Sequence, residues 1–269
     1  MQIQEKCHEN VWILSGTADG PILADKLIKL NFIVFASVVT YRGGTSYQKK
    51  PKLHIITGKI NGIDQFINFI NKNKIDYIID ATHPFALRIS ENLIKACQKI
   101  NKPLFRFERN LRNLNNKNLN YVEDPISISG VNWNNKKLLL AIGSRFLDTT
   151  ASFYLDKGAD VFARILPTCE SISLALRSRL IKSHIAILEP SKNKFNNLER
   201  NLCQYWKIDY VLCRDSGGYS QNIWEQMHSE GLIKLFLIQR PEVGKNVLFF
   251  SEYDDLINKM NSIHSFSHE

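Results

Sequence analysis

The sequence has 269 residues, 44% of them hydrophobic, so it is long enough for two domains of roughly 100–150 residues with packed cores, and general disorder is excluded. Its net charge of +9 favours an anionic partner, although general drift in composition toward Asn, Lys and Ile explains the charge equally well. Because the sequence has no long basic tract and no known nucleic-acid-binding motif, we expect no nucleic-acid partner. Because no apolar run approaches ~18–20 residues and the N-terminus lacks a basic-then-apolar signal, we expect a cytoplasmic protein with no membrane partner.

The first half of the chain alternates short apolar runs with segments of helical periodicity. Helices are predicted after the first run, around residues 63–73, and from Pro84 onward, since proline suits the first helical position. Five strands alternating with helices imply a parallel sheet covered on both faces. The predicted strands are residues 11–16, 32–39, 53–58, 76–80 and 103–109.

A polar, asparagine-rich stretch interrupts this pattern, and a second series of strands follows it. We therefore predict an N-terminal domain at residues 1–112, a linker at 113–136 and a C-terminal domain at 137–269. The fold class is α/β, with two Rossmann-like domains, mainly parallel sheets and an interdomain cleft, a common place for a ligand. The strands predicted in the second series are residues 137–144, 160–166, 184–190, 209–218 and 233–241.

The turn "SGTADG" joins the first strand to the first helix. Glycines let the backbone approach a phosphate, and a helix N-terminus supplies N–H donors, so Gly16 and Gly20 predict phosphate contact. The alternative is an ordinary tight turn, because the G-x-G-x-x-G fingerprint is incomplete. Pro21 is placed at the first helical position, and Asp19 is expected to cap the helix rather than touch a pyrophosphate.

The segment "TYRGG" follows the second strand, where dinucleotide folds read the adenosine ribose. A carboxylate there favours a free 2′-hydroxyl, whereas an arginine accommodates a 2′-phosphate. Arg42, which has no acidic neighbour, favours the phosphorylated cofactor. The alternative is a solvated arginine in a loop.

The junction "DATHP" links the fourth strand to its helix. Thr82 or His83 is expected to cap the helix, and Asp80 to hold the imidazole or brace the turn. Because imidazole exchanges protons near neutrality, His83 is a candidate proton source or hydrogen-bond donor. The alternative is a purely structural junction.

The segment "CRDSGGYS" places a similar glycine turn after a strand in the second half. Arg214 can clamp a carboxylate bidentately, and Ser216 with the backbone of Gly217 and Gly218 can donate hydrogen bonds to an anion. Ser216 is not expected to be a hydrolase nucleophile, since G-x-S-x-G is absent. The alternative is a glycine turn beside a surface arginine. Other arginines at strand ends are solvated charges unless they converge on one polyanion site: Arg106, Arg109, Arg145 and Arg164.

Neither a metal centre nor a disulfide framework is predicted. The five cysteines are odd in number and form no C-x-x-C pair, so reduced thiols are expected. The seven histidines are scattered, and H-E-x-x-H is absent.

These segments resemble the precorrin-6A reductase family of the cobalamin pathway, in its aerobic and cobalt-dependent branches. The most specific match is "IDATHPFALRISENLIKACQKINKPLFRFER"; "ILSGTADGPILADKL" looks like the family's G-G-T-x-E-G turn, with Ser15 and Asp19 as departures. "RDSGG" and "IQRP" resemble C-terminal elements, with Arg214 in place of the usual lysine. The family's Gly-Pro-Phe segment is here only "LEPSK", residues 188–192.

The resemblance implies an oxidoreductase that uses a nicotinamide cofactor to reduce one ring double bond of a contracted tetrapyrrole with many carboxylates. Arg42 favours NADPH, with NADH as the alternative. It places the cofactor on the first domain and the macrocycle in the cleft. His83, Tyr219 or a bound water delivers the proton. The expected cofactor-binding residues are Gly16, Thr17, Gly20, Arg42, Thr82, His83 and Pro84. The expected substrate-binding residues are Arg88, Arg109, Arg145, Arg214, Ser216 and Gly217.

Two rival functions remain open from the sequence. One is an NAD(P)-dependent reductase of another acidic small molecule, which would share the fold but not the substrate. The other is a non-catalytic basic binding protein, which would bind oligonucleotides in a salt-sensitive way and would not bind nicotinamide cofactors.

Overall fold

A computed structural model describes residues 9–108, 119–189, 198–242, 244 and 247–266, with side chains up to residue 263. The chain divides into two compact units. The first combines Met1–Asn110 with Pro241–Glu269, and the second is Leu111–Arg240.

The described residues form two sheets. In chain order the strands are β1 (Asn10–Ser15), β2 (Ile33–Val38), β3 (Leu53–Thr57), β4 (Tyr77–Ala81), β5 (Leu104–Phe107), β6 (Asn120–Val122), β7 (Lys137–Ala141), β8 (Asp160–Ile165), β9 (Ile185–Ile187), β10 (Tyr210–Arg214), β11 (Lys234–Ile238) and β12 (Leu248–Phe250). The helices are α1 (Asp19–Lys29), α2 (Tyr41–Thr45), α3 (Ile63–Lys72), α4 (Leu87–Lys99), α5 (Leu147–Asp156), α6 (Cys169–Arg177), α7 (Leu198–Trp206), α8 (Tyr219–Ser229) and α9 (Tyr253–Phe266).

Each sheet has six strands, and all described pairings are parallel. The first sheet runs β12-β5-β4-β1-β2-β3, the strand order of dinucleotide-binding folds. The second runs β6-β11-β10-β7-β8-β9, which is the same order with β6 in the outermost position. The predicted class of two parallel α/β sheets is therefore confirmed. Strand order reverses between β1 and β4 in one sheet and between β7 and β10 in the other.

The domain boundaries differ from those drawn on the sequence. The segment after residue 240 was assigned to the second domain, but its strand β12 pairs with β5, with Leu248 opposite Phe105. Leu256 and Met260 of α9 are fully buried in the core of the first unit. The predicted linker contains β6, which pairs with β11. Local composition does not reveal such pairings, because each partner lies more than a hundred residues away.

Side-chain alternation along β1 separates two cores in the first unit. Val11 and Ile13 pack on one face of the sheet, with residues of α1 and α9. Trp12 and Leu14 pack on the opposite face, with residues of α3 and α4. Since successive strand side chains point to opposite faces, one apolar run supplies both layers.

Three local predictions near the strand ends are wrong. α4 begins at Leu87, because Pro84 lies in a turn in which Ala86 N donates to His83 O at 2.8 Å. α1 begins at Asp19, so Pro21 is its third residue, where its missing N–H still breaks no helical bond. The predicted loop "TYRGG" forms α2, whose first turn is capped by the Thr40 side chain.

Within the part of the chain that the structure describes, none of the helices combines the length and the apolar character needed to cross a bilayer.

Candidate functional site

A cavity of about 170 Å³ lies at the carboxyl edge of the first sheet. Its wall includes Gly16 after β1, Val39 after β2, Lys59 after β3, and Thr82 and His83 after β4. It therefore spans the point where the strand order reverses, the usual ligand position in open parallel sheets. Three predicted site residues, Gly16, Thr82 and His83, are brought together here.

The floor of the cavity is apolar. Trp12, Leu14, Val38, Ile60 and Ile89 contribute to it. The Trp12 indole N–H donates to Ser37 Oγ at 2.7 Å, so its one polar atom is satisfied. Such a surface suits a flat aromatic ring.

Gly16 allows the turn after β1 to lie against the turn after β4. A Cβ on Gly16 would be 3.1 Å from His83 N and 3.3 Å from Thr82 Cα. Gly16 N also donates to Ala81 O at 3.2 Å. A side chain at this position would therefore require the two turns to separate by a few tenths of an ångström, so glycine favours their close approach.

Gly20 is needed for a different contact. A Cβ there would lie 2.1 Å from Ser15 Oγ and 2.4 Å from the Tyr47 hydroxyl oxygen. Burial raises the pKa of the Tyr47 hydroxyl to about 12, so the group stays protonated. Gly20 thus brings the first turn of α1 against β1, which is the packing role of the last glycine in dinucleotide turns.

The rest of this turn is organised around Asp19, which is 3% exposed. The Thr17 hydroxyl donates to Asp19 Oδ2 at 2.8 Å and accepts from Asp19 N at 3.3 Å. The Tyr253 hydroxyl, from α9, donates to Asp19 Oδ1 at 2.8 Å. The predicted cap at Asp19 is wrong: Ala18 is the N-cap of α1, and no side chain caps that helix.

At the next turn, Asp80 braces the backbone. Its Oδ1 accepts from Thr82 N at 3.0 Å and from the Thr82 hydroxyl at 2.7 Å. His83 Nδ1 accepts from Phe85 N at 3.2 Å, so the neutral imidazole carries its proton on Nε2. The prediction that Thr82 or His83 caps α4 is wrong, because Ala86 is the N-cap of this helix.

Arg106, on the neighbouring strand β5, stabilises this junction, a role that the sequence alone does not predict. Its side chain is fully buried in β5, directly opposite Asp80 in the sheet register. Nη1 lies 2.6 Å from Asp80 Oδ2 and donates to Thr82 Oγ1 at 2.9 Å and to Ser90 Oγ at 3.0 Å. Nε donates to Glu108 Oε1 at 2.8 Å. With two carboxylates around it, Arg106 is a structural cation rather than a site for an external anion.

Several predicted residues lie elsewhere. Arg42 is exposed on α2 and Arg88 is exposed on α4; neither lines the cavity. Pro84 is buried in the turn before α4, and the Thr17 side chain is engaged within its own turn. Arg109 lies outside the described residues.

The carboxyl edge of the second sheet carries two neighbouring arginines, Arg145 after β7 and Arg214 at the end of β10. Burial lowers the pKa of the Arg214 guanidinium, and the like charge of Arg145 lowers it further. Arg145 is 74% exposed and lies 3.5 Å from Glu170. A Cβ on Gly143, which follows β7, would be 3.0 Å from Arg214 Nη2. Two cations therefore meet where this sheet reverses its strand order.

Backbone N–H groups of the glycine turn after β10 already donate hydrogen bonds to a side chain. The N–H groups of Ser216 and Gly217 both donate to Gln221 Oε1, each at 2.7 Å. Gln221 Nε2 donates in turn to Asp215 Oδ1 at 2.9 Å. An anion bound through the backbone of Gly217 and Gly218 would therefore compete with Gln221 for the Gly217 N–H, and this contact stays a prediction. Tyr219 is the first residue of α8 and is partly buried.

Arg164 does not join the pair formed by Arg145 and Arg214. Its Nη2 lies 3.6 Å from Glu199 Oε1, and burial lowers the pKa of its guanidinium. Residues 190–192 of the "LEPSK" segment lie outside the described residues.

Among the described residues, no group of three or more His, Cys, Asp or Glu side chains is arranged to hold a metal ion. The described cysteines are free thiols: Cys97, Cys169, Cys203 and Cys213.

Comparison with known proteins confirms the resemblance seen in the sequence. A sequence profile of the family described as precorrin-6x reductase CbiJ/CobK matches residues 10–261. The cobalt-precorrin-6A reductase of Methanocaldococcus jannaschii is 28% identical over 254 residues, which cover 92% of this chain and 96% of that protein. The cobalt-precorrin-6A reductase of Synechocystis sp. is 29% identical and covers 86% of this chain and 88% of its own.

A solved structure, the CobK precorrin-6A reductase, has the same fold, with a TM-score of 0.75, 20% identity and coverage of 94% of this chain and 96% of that one. Since the family profile spans nearly the whole chain, both units fall within the match. The chain belongs to the precorrin-6x reductase family.

Proposed function

We propose that this chain reduces one ring double bond of cobalt-precorrin-6A or precorrin-6A to the 6B form in cobalamin biosynthesis, with NADPH as the reductant. Membership of a reductase family and the names of its full-length relatives support the reaction. The observation that carries the proposal is the cavity at the β1/β4 reversal of a sheet with dinucleotide-binding strand order.

The residues present fit a nicotinamide dinucleotide. Gly16 leaves its backbone open to close approach, and the N-terminal end of α1, with its partial positive charge, follows it in the chain. The apolar floor around Trp12 and Ile60 suits a base. When bound, the reduced nicotinamide supplies a hydride. The role of the chain is to bind and orient this group and to exclude water around it.

The charges at the cavity support NADPH over NADH. None of the described lining residues is a carboxylate, the group that would read a free 2′-hydroxyl. Lys59, which follows β3, is the one lining residue with a permanent positive charge. Arg42 follows the neighbouring strand β2 on α2. We propose that Lys59, assisted by Arg42, meets the 2′-phosphate.

The proton of the reduction is proposed to come from His83, from Tyr219 or from water. His83 is supported by its place in the cavity wall and by the Phe85 N–H, which leaves the proton of the neutral ring on Nε2. Only an Nδ1 atom that carries no proton can accept this hydrogen bond. The bond therefore fixes the tautomer of the neutral ring and also holds the ring in one orientation.

Substrate carboxylates are proposed to bind at Arg145 and Arg214. Repulsion between these two cations is relieved when a carboxylate lies beside them, which favours an acidic ligand. Arg88, Arg109 and the Ser216 hydroxyl remain proposed contacts.

A cofactor titration tests the first half of the proposal. NADPH is expected to bind more tightly than NADH, and Lys59→Ala should weaken NADPH binding by about tenfold while leaving NADH unchanged. Lys49→Ala, another exposed lysine that does not line the cavity, is the matched control. Equal affinities for the two cofactors in the wild-type chain would refute the choice of NADPH.

Incubation with precorrin-6A and its cobalt form tests the second half. The macrocycle absorbance should change only when reduced cofactor is present. An unchanged spectrum with both substrates would favour the reductase of another acidic molecule. His83→Gln should slow the protonation step in a single turnover; an unchanged rate would transfer that role to Tyr219 or water.

A further inference from the structure

We infer that Tyr253 is a positioning residue for the cofactor-binding turn between β1 and α1. Tyr253 is the first residue of α9, far from this turn in the sequence, and its hydroxyl donates to Asp19 Oδ1 at 2.8 Å. The inference rests on the proposed function, because it assumes that the turn binds the cofactor.

Asp19 links Tyr253 to the turn. Its carboxylate accepts from Tyr253 through Oδ1 and from the Thr17 hydroxyl through Oδ2. The Thr17 hydroxyl also accepts from Asp19 N, which closes a local ring of hydrogen bonds. Hydrogen bonds to an ionised carboxylate are stronger than neutral ones, so the direction of this carboxylate sets the conformation of residues 17–19.

The direction matters because Asp19 is the first residue of a helix. Helix N–H groups attract any anion, whether a side-chain carboxylate or a dinucleotide phosphate. If the Asp19 carboxylate turned toward the N-terminal end of α1, it would compete with a pyrophosphate there and would repel it. The Tyr253 hydroxyl holds one carboxylate oxygen toward α9 and so keeps this negative charge away from the phosphate position.

The Tyr253 ring is fixed independently of its hydroxyl. It stacks on Phe107 with centroids 4.7 Å apart and an interplanar angle of 14°. The Lys26 ammonium lies 5.9 Å from the ring centroid. Tyr253→Phe therefore removes the hydrogen bond and preserves both ring contacts, which makes it a clean test.

A second link between α1 and α9 provides the control. Lys26 Nζ and Asp254 Oδ1 are 2.8 Å apart, but this pair is exposed and does not touch Asp19 in any described contact. If Tyr253 only helped to attach α9 to α1, Asp254→Asn would have a comparable effect on cofactor binding.

The experiment measures the NADPH dissociation constant by fluorescence titration of the full chain, together with the melting temperature of each variant. Tyr253→Phe should raise the constant about three- to tenfold, and Asp254→Asn should leave it within about twofold. In an Asp19→Asn background, Tyr253→Phe should have little further effect, because the charge that it holds is gone.

An unchanged NADPH dissociation constant in Tyr253→Phe, or equal effects of Tyr253→Phe and Asp254→Asn, would overturn the inference. The proposed cofactor would still stand in that case, provided that the wild-type chain binds NADPH. Additive effects of Tyr253→Phe and Asp19→Asn would also overturn it. A wild-type chain that binds neither NADPH nor NADH would refute the proposed function itself, and this inference with it.

Discussion

Arg106 offers the sharpest test of how the first sheet supports its site. Replacing it by Met removes a guanidinium that is fully buried and leaves the Asp80 carboxylate, itself 3% exposed, without its cation. Breaking a buried ion pair by removing one partner costs about 3–5 kcal/mol of folding free energy. The donors to Thr82 and Ser90 are lost as well. We therefore expect the free energy of unfolding of the first unit to fall by about that amount.

Native-state hydrogen exchange at the amides of β4 and β5 measures this loss without interference from the second unit. Arg88→Ala, an exposed arginine on α4, is the control and should change stability by less than about 0.5 kcal/mol. The double variant Arg106→Met with Asp80→Asn should lose less than the sum of the single variants, since neither charge then remains. A loss below about 1 kcal/mol in Arg106→Met would show that the network does not hold the junction.

Three further predictions concern a packing contact, a buried thiol and a candidate substrate-binding arginine. Gly20→Ala would place a methyl carbon 2.1 and 2.4 Å from two hydroxyl oxygens, so it should lower stability by at least about 1–3 kcal/mol; an unchanged melting temperature would contradict this packing. Burial raises the pKa of the Cys97 thiol to about 12, so at pH 8 it is protonated and should react with iodoacetamide only after unfolding, whereas the exposed Cys169 should react in the native chain; peptide mapping distinguishes the two sites. Arg214→Ala should raise the KM for the tetrapyrrole about tenfold, and Arg214→Lys should keep most of the affinity; equal values in the two variants would remove this residue from substrate binding.

Much of the fold could be predicted because its signals are local. β4 and β10 each begin with an apolar run, residues 77–79 and 210–213, and such runs are typical of strands buried on both faces. Gly16 and the junction at Thr82 lie where each strand ends, so strand positions alone predict that they meet at one edge. This prediction agrees with the wall of the cavity.

The rest depends on contacts between distant residues. The sequence does not show that Gln221 would accept from the N–H groups of Ser216 and Gly217, because a side chain entering a turn leaves no periodic pattern. The place of Lys59 in the cavity wall could not be predicted, because this residue follows an edge strand and belongs to no motif. Arg106 did leave a signal: in "LFRF" it alternates with phenylalanines, so a buried partner such as Asp80 had to face it.

Because β12 follows the whole of the second unit in the chain, the first unit is completed last during synthesis. The second unit is continuous from β6 to β11, so all its strands have been made once residue 238 leaves the ribosome. The first unit, although made earlier, still lacks β12, which pairs with the outer edge of β5. At 5–20 residues per second, residues 111–240 occupy roughly 6–26 s of translation. For that time the open edge of β5 offers unpaired backbone groups to any neighbouring strand, and the half of the chain made first is the last to be completed.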